Sequence, residues 1–244
     1  MACVLGGYFA RGSDDAAPDE RPRAEVYVDT FLMDRYEVRT KDYARCVAAL
    51  HCKRPRPFQG YGDPDQPIVA VSWFDAVGYC KSVGKRLPTE AEFERAATGI
   101  EGTRFAWGND PAGSGCDEAI IQTKRGKGCG AGTTWNVGSR PAGHFGLFDV
   151  SGNAWEWVAD WYTPCYDGCE NACGSACSGE NPRGPCNGAL ECPGHTQRGV
   201  RGGSWWYPLE RARAASRRGS EPANLGPHRF GFRCARDLDG DAQR

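Results

Sequence analysis

Apolar and polar residues alternate along two stretches near the start of the chain, Val4-Leu-Gly-Gly-Tyr-Phe9 and Glu25-Val-Tyr-Val-Asp-Thr-Phe-Leu-Met-Asp34. A period of two sends successive side chains to opposite faces, so both are predicted to be half-buried strands. The polar run from Gly12 to Glu20 between them predicts a loop. The period then lengthens. Thr40 stands at the N-cap of a predicted short helix carrying Tyr43 and Cys46. Ser72, with Asp75 three residues on, caps a second helix that runs to the stop signal Gly84. Trp73, Val77 and Cys80 share one face of it at i, i+4, i+7 spacing. Thr89 and Glu92 form a capping box for a third helix over Ala91 to Ala97, ended by Gly99. The segment Leu87-Pro-Thr-Glu-Ala-Glu92 therefore reads as a well-capped helix start rather than a source of catalytic carboxylates.

Beyond Gly99 regular periodicity fades. Residues 105–138 are glycine-rich and 162–199 are irregular and hold six cysteines. The 33 Gly, 16 Pro and 8 Trp point to a loop-rich domain organised by turns and large aromatics. Long irregular stretches are uncommon in compact domains unless they serve a function. Residues 1–244 are read as one domain, with a cysteine-rich excursion at about 162–192.

Charge and cysteine content narrow the setting. Thirty Lys and Arg against 31 Asp and Glu leave no global field favouring nucleic acid, so no nucleic-acid partner is expected. No apolar run approaches the ~20 residues of a membrane-spanning helix. Thirteen cysteines without a Cys-x2-Cys pair argue against zinc and for disulfides in an oxidising compartment. An extracytoplasmic location, periplasmic or secreted, is expected, although no export signal precedes Met1-Ala-Cys3 in this sequence. The odd count leaves at least one thiol unpaired, with Cys3 the first candidate. Loop context predicts Cys46–Cys52 and Cys116–Cys129, whereas the six cysteines from Cys165 to Cys192 leave the pairing open.

Four motifs occur in order: Gly6-Gly-Tyr-Phe9, Leu87-Pro-Thr-Glu-Ala-Glu92, Gly152-Asn-Ala-Trp-Glu-Trp157, and Arg201-Gly-Gly-Ser-Trp205 closing at Gly231-Phe-Arg-Cys234. Through them the chain resembles the formylglycine-generating enzyme (sulfatase-modifying factor) family over about residues 5–236. The resemblance implies an irregular α+β fold related to C-type lectins, with short antiparallel strands, two main helices and long disulfide-tied loops. It also implies a Cys80–Cys234 disulfide. Catalytic members hold copper on two cysteines that lie three and eight residues after the Ser of their Gly-Gly-Ser. Counted from Ser204, those positions are Tyr207 and Ala212. Neither a phenol nor a methyl replaces a soft thiolate on Cu(I), so copper is not expected and the resemblance points to a non-catalytic member.

The same resemblance implies one structural Ca²⁺, held by side chains of Asp149 and Glu156 and by carbonyls of Gly152 and Ala154, an oxygen set suited to calcium. The family's second calcium site is expected to be absent, because Ile120 and the run near Gly128 supply no ligands. An iron-dependent branch is disfavoured, since His51, His144, His195 and His228 are isolated in sequence and no helical histidine domain is present. A variable-receptor branch rich in Asn is represented only by Asn224 between Arg211 and Cys234. The expected function is binding of a peptide, protein or surface ligand in a cleft formed by Ser204, Trp205, Trp206, Tyr207 and Arg211; the rival is an oxygen- and metal-dependent oxidase with an unrecognised site. Arg211 and Arg213 are expected to alternate along a strand, with anion capture by Arg211, Arg213, Arg217 and Arg218 the sharper alternative.

Overall fold

The computed structural model describes residues 1–111, 115–223 and 228–238; Asn224 lies outside them. The chain opens with β1 (Ala2–Val4) and β2 (Gly7–Arg11), then β3 (Ala24–Val28) and β4 (Phe31–Met33). Three helices follow: α1 (Thr40–Ala48), α2 (Trp73–Ser82) and α3 (Glu90–Thr98). The remaining strands are β5 (Trp155–Trp161), β6 (Gly179–Glu180), β7 (Arg198–Arg201), β8 (Arg217–Ser220), β9 (Phe230–Gly231) and β10 (Ala235–Asp237).

They form three small sheets, ordered β1-β4-β10, β2-β3-β6 and β8-β7-β5-β9. The alternating stretches at the start become antiparallel β2 and β3, with Phe9 facing Val26 across the ladder. The last sheet is antiparallel except for β5 and β9, which run parallel. It brings both ends of the Arg201…Cys234 segment against Trp155-Glu-Trp157. Trp155, Trp157, Trp73, Phe230 and Phe232 form the main core. These are large rings, each fully burying one removing well over a hundred Å² from water.

Both predicted capping boxes are present. The Ser72 hydroxyl accepts the Asp75 N–H while Asp75 accepts the Ser72 N–H, and Thr89 and Glu92 do the same for α3. The start of α1 differs from expectation. Arg39 is the N-cap and Thr40 lies inside the helix, its hydroxyl donating to the Gln66 carbonyl at 3.2 Å. The backbone of Arg39 is tied by a bridge to Pro67, and that tertiary constraint moves the boundary.

Every residue of α3 is buried, including Glu90, Glu92, Glu94 and Arg95. The carboxylates are tolerated because arginines of the last sheet reach them. Glu90 takes a two-pronged contact from Arg217 (Nε–Oε1 2.8 Å, Nη2–Oε2 2.7 Å), and Arg201 donates to Glu94 at 2.5 Å. Burial pushes Glu90 up, but Arg217 and Arg201 outweigh it and hold the carboxyl below its ordinary value. Arg213 makes a like contact with Glu20, at 2.5 and 2.6 Å. Arg198 makes no salt bridge among the described residues. It lies between the Trp73 and Trp161 rings, 3.9 and 3.6 Å from their centroids, and donates to the carbonyls of Ala159 and Ala189. Desolvation lowers its guanidinium to about 10.

Six disulfides tie the loops. Cys80 of α2 joins Cys234 beside β10, Cys46 joins Cys52, and Cys116 joins Cys129. Within the excursion the pairs are local: Cys165–Cys169, Cys173–Cys177 and Cys186–Cys192. Cys3 is the free cysteine, exposed on β1. The excursion is anchored as well as stapled, because β6 adds in parallel to β3 and Arg198 holds the carbonyls of residues 188–190.

Candidate functional site

The two glycines of Arg201-Gly-Gly-Ser204 turn the chain from β7 into the site. Gly203 has φ +78°, and a Cβ there would lie 2.5 Å from the Arg211 carbonyl oxygen, so only glycine fits the close return of the loop. Beyond it, the predicted binding residues separate. Ser204 and Trp205 are buried, each 1% exposed, and belong to the interior rather than to a ligand-facing wall. Trp206 turns to the surface among His228, Lys127 and Arg229, with the Lys127 ammonium 2.9 Å from its ring centroid and the Arg229 guanidinium at 5.5 Å.

Tyr207 and Arg211 line a cavity of about 220 Å³ with Asp19, Trp155, Tyr162, Arg217 and Arg218. The Tyr207 ring packs edge-on against Trp155, and its hydroxyl accepts from Arg218 Nη1 at 2.6 Å. Arg218 and Arg229 sit 5.9 and 5.7 Å from the Tyr207 centroid. Ala212 is 1% exposed and packs with Ala119 and Ile121. Sequence reading missed Asp19, Trp155 and Tyr162 as cavity residues, for they come from two distant segments, the Pro18–Glu20 turn and β5 with the residue after it. Only their folding together reveals them.

The arginine cluster also divides. Arg213 is taken by Glu20 and Arg217 by Glu90, whereas Arg211 and Arg218 have no ion-pair partner among the described residues. Arg211 lies in a short 3-10 turn, Leu209–Ala212, not on a strand, because Pro208 and the close approach at Gly203 curl the chain. His228 is held below its ordinary value by burial and by Arg229 and Lys127. His144 is occupied structurally, its Nε2 2.7 Å from the Thr103 hydroxyl.

Asp149, Gly152 and Ala154 lie in the segment that leads into β5 and Glu156 is its second residue, with Asp149 and Glu156 close enough to interact electrostatically. Asp149 Oδ2 accepts the Gly138 N–H at 2.6 Å, and both Glu156 oxygens accept from Arg233 at 2.7 Å. Glu37, which sequence reading missed, accepts the Ala154 N–H and the Asn153 amide. Burial, then Asp149 and Glu156, hold the Glu37 carboxyl well above its ordinary value. Burial likewise raises the Asp149 and Glu156 carboxyls, so three buried carboxyls gather around the Arg233 guanidinium with their charged forms disfavoured, a setting in which a bound cation would favour ionisation. Among the described residues no three His, Cys, Asp or Glu side chains converge as metal ligands, so a cation here needs the backbone carbonyls. Those are donors of the hard oxygen type calcium accepts.

Three small sheets packed with a fully buried capped helix, tied by disulfides and arginine–carboxylate pairs, define an α+β domain of the formylglycine-generating type. The chain belongs to the sulfatase-modifying factor family: the model described as "Sulfatase-modifying factor enzyme 1-like domain" matches residues 1–238. It is 31% identical to a formylglycine-generating enzyme of Thermomonospora curvata, covering 97% of this chain and 93% of that protein. It is also 31% identical to the serine/threonine-protein kinase pkn1 of Chlamydia pneumoniae, covering 98% of this chain but 38% of the kinase. The mouse protein named inactive C-alpha-formylglycine-generating enzyme 2 is 28% identical over 96% of this chain and 85% of its own length. Among solved structures, PvdO from Pseudomonas aeruginosa superposes with a TM-score of 0.74 at 26% identity, covering 97% of this chain and 93% of PvdO. Treponema denticola variable protein 1, at 20% identity and a TM-score of 0.75 over 97% of this chain and 94% of that one, shares the fold.

Proposed function

We propose that this chain is a non-catalytic member of the family, a calcium-stabilised, disulfide-bonded extracytoplasmic domain that binds a peptide or protein ligand in the cleft at Trp206, Tyr207 and Arg211. The observation that carries this reading is the pair Tyr207 and Ala212. The family resemblance assigns copper-binding thiolates to these two positions, and here they carry a phenol that accepts from Arg218 and a buried methyl. The cysteines of the excursion are paired with one another and offer no substitute, and Cys3 lies in a different sheet. Six disulfides support an oxidising compartment. No helix among the described residues is long and apolar enough to cross a membrane. A relative named inactive, and kinase relatives in which the matched segment is 38% of the length, support use of this fold without the oxidation.

In this reading Asp149 and Glu156, with the carbonyls of Gly152 and Ala154, hold calcium. The ion favours the charged forms of the buried carboxyls around Glu37 and fixes the loop that leads into β5.

The deciding assay supplies the purified protein with Cu(I), oxygen, a reductant and a sulfatase-type cysteine peptide. No formylglycine is expected. Turnover that disappears on Cys173→Ser would overturn the reading, because the excursion would then be supplying thiols. Calorimetry on chelator-treated protein is expected to show calcium binding that Asp149→Ala removes; equal heats from wild type and variant would sink the calcium assignment.

A further inference from the structure

The walls of the cavity beside Tyr207 carry unequal charges. Arg217 is neutralised from behind by Glu90, at 2.7 and 2.8 Å. Asp19, the one acidic group on the walls among the described residues, accepts the Tyr162 hydroxyl at 2.8 Å. Arg211 and Arg218 remain without a carboxylate partner among the described residues. Arg218 donates through Nη1 to Tyr207 and keeps its other N–H groups for a ligand. Setting Asp19 against Arg211 and Arg218 leaves the cavity with one uncompensated positive charge. Outside the cavity, Arg229 and Lys127 extend the positive strip along Trp206, and Arg229 Nε is buried without a hydrogen-bond partner among the described residues.

We infer that this cavity is a carboxylate-binding pocket, in which Arg218 and Arg211 receive one carboxylate of an extended peptide while Tyr207, Tyr162 and Trp155 cover its apolar part. The inference rests on the peptide-binding reading above and names the chemistry that the cleft selects. The arguments are charge and shape. A planar guanidinium matches a carboxylate fork. A single uncompensated charge suits a monoanion, and the Asp19 carboxylate on the wall opposes a dianion such as phosphate. A cavity of about 220 Å³ holds a carboxylate with a small side chain and not a folded partner. Arg229 and Lys127 then attract the rest of an acidic segment along the ring of Trp206.

The test measures tryptophan fluorescence of the whole protein at low ionic strength. It is titrated with three probes: the acetylated peptide Ac-Gly-Phe-Ala with a free carboxylate on its small terminal residue, its C-terminal amide, and Ac-Glu-Phe-Ala-amide. The free carboxylate is expected to bind about tenfold more tightly than the amide, as for a hydrogen bond to a charged group. The third peptide locates the preferred source: tighter binding than the neutral amide means that a side-chain carboxylate also serves. Arg218→Gln is expected to abolish the preference, and Arg218→Lys to retain part of it, with melting temperatures showing that both variants are folded. Should Arg218→Gln fail to fold, loss of the preference in the exposed-site variant Arg211→Gln supplies the same decision. Equal binding of all three peptides overturns the inference and leaves peptide binding standing. No response to any of them overturns both. A response that inorganic phosphate or sulfate reproduces at the same concentration overturns it in favour of a general anion site.

Discussion

Two sets of arginines leave the same short stretch of chain and meet opposite fates. Arg201, Arg213 and Arg217 turn inward, are buried, and end on Glu94, Glu20 and Glu90. Arg211 and Arg218, interleaved with them in sequence, face the cavity without a carboxylate partner among the described residues. The paired set costs desolvation that only its partners offset, so it is bound into the fold and cannot be spared for a ligand. In the unpaired set Arg211 is exposed and Arg218 is half-buried, so neither carries the desolvation cost of the paired set. Adjacent positions of one motif therefore do different physical jobs, and proximity in sequence says little about which job a given guanidinium has.

The strongest way to break the contrast is Arg201→Ala. It strands Glu94 in the interior and is expected to cost about 3–5 kcal/mol, a loss visible in denaturant midpoints, whereas Arg218→Gln should leave the midpoint nearly unchanged. Equal effects would show that the two sets are not distinct. Removing the Cys80–Cys234 bridge as a double Ser variant should cost about 2–5 kcal/mol, since it closes a span of 154 residues.

The open side is tested by binding. Once a peptide ligand is in hand, Trp206→Ala or Tyr207→Ala should weaken it by about 1–3 kcal/mol with little unfolding, as expected of aromatic anchors. An unchanged Kd would place the ligand elsewhere.

A smaller effect, dependent on pH, comes from Asp160. It is fully buried, accepts the Glu90 N–H at 2.7 Å, and is pushed up to about 7 by desolvation and then by Glu90. The native state therefore holds a proton on Asp160 that the unfolded chain has released, between its ordinary value of 3.8 and about 7. This group's contribution to stability falls as pH rises through that window. Asp160→Asn keeps the acceptor and should flatten the fall; an identical pH profile for wild type and variant would remove the assignment. The smallest effect is expected at exposed Arg211, where Gln should change stability by less than about 0.5 kcal/mol.

Much of the scaffold was legible before the structure. Ser72/Asp75 and Thr89/Glu92 are local signals, because a capping box is made within four residues. The strand alternation at Phe9 and Val26 is local too. The first helix start was misplaced by one residue at Thr40, since the Arg39–Pro67 bridge that sets it is not local. Four ordered motifs were enough to recognise the family. The site was read less completely: Tyr207 and Arg211 do line the cavity, but Trp205 and Ser204 are buried, and Asp19, Tyr162 and Glu37 were not anticipated.

What the sequence determined by itself is what depends on short spans and on residue type: the two capping boxes, the strand period and the family motifs. What only the tertiary structure decided is which charges are paired. Arg213 and Glu20 are 193 residues apart, and Arg217 and Glu90 are 127 apart. No spacing rule links such positions. Coulomb attraction and desolvation act through space, so the division between arginines that hold the fold and arginines left free in the cleft exists only once the sheets and α3 have packed.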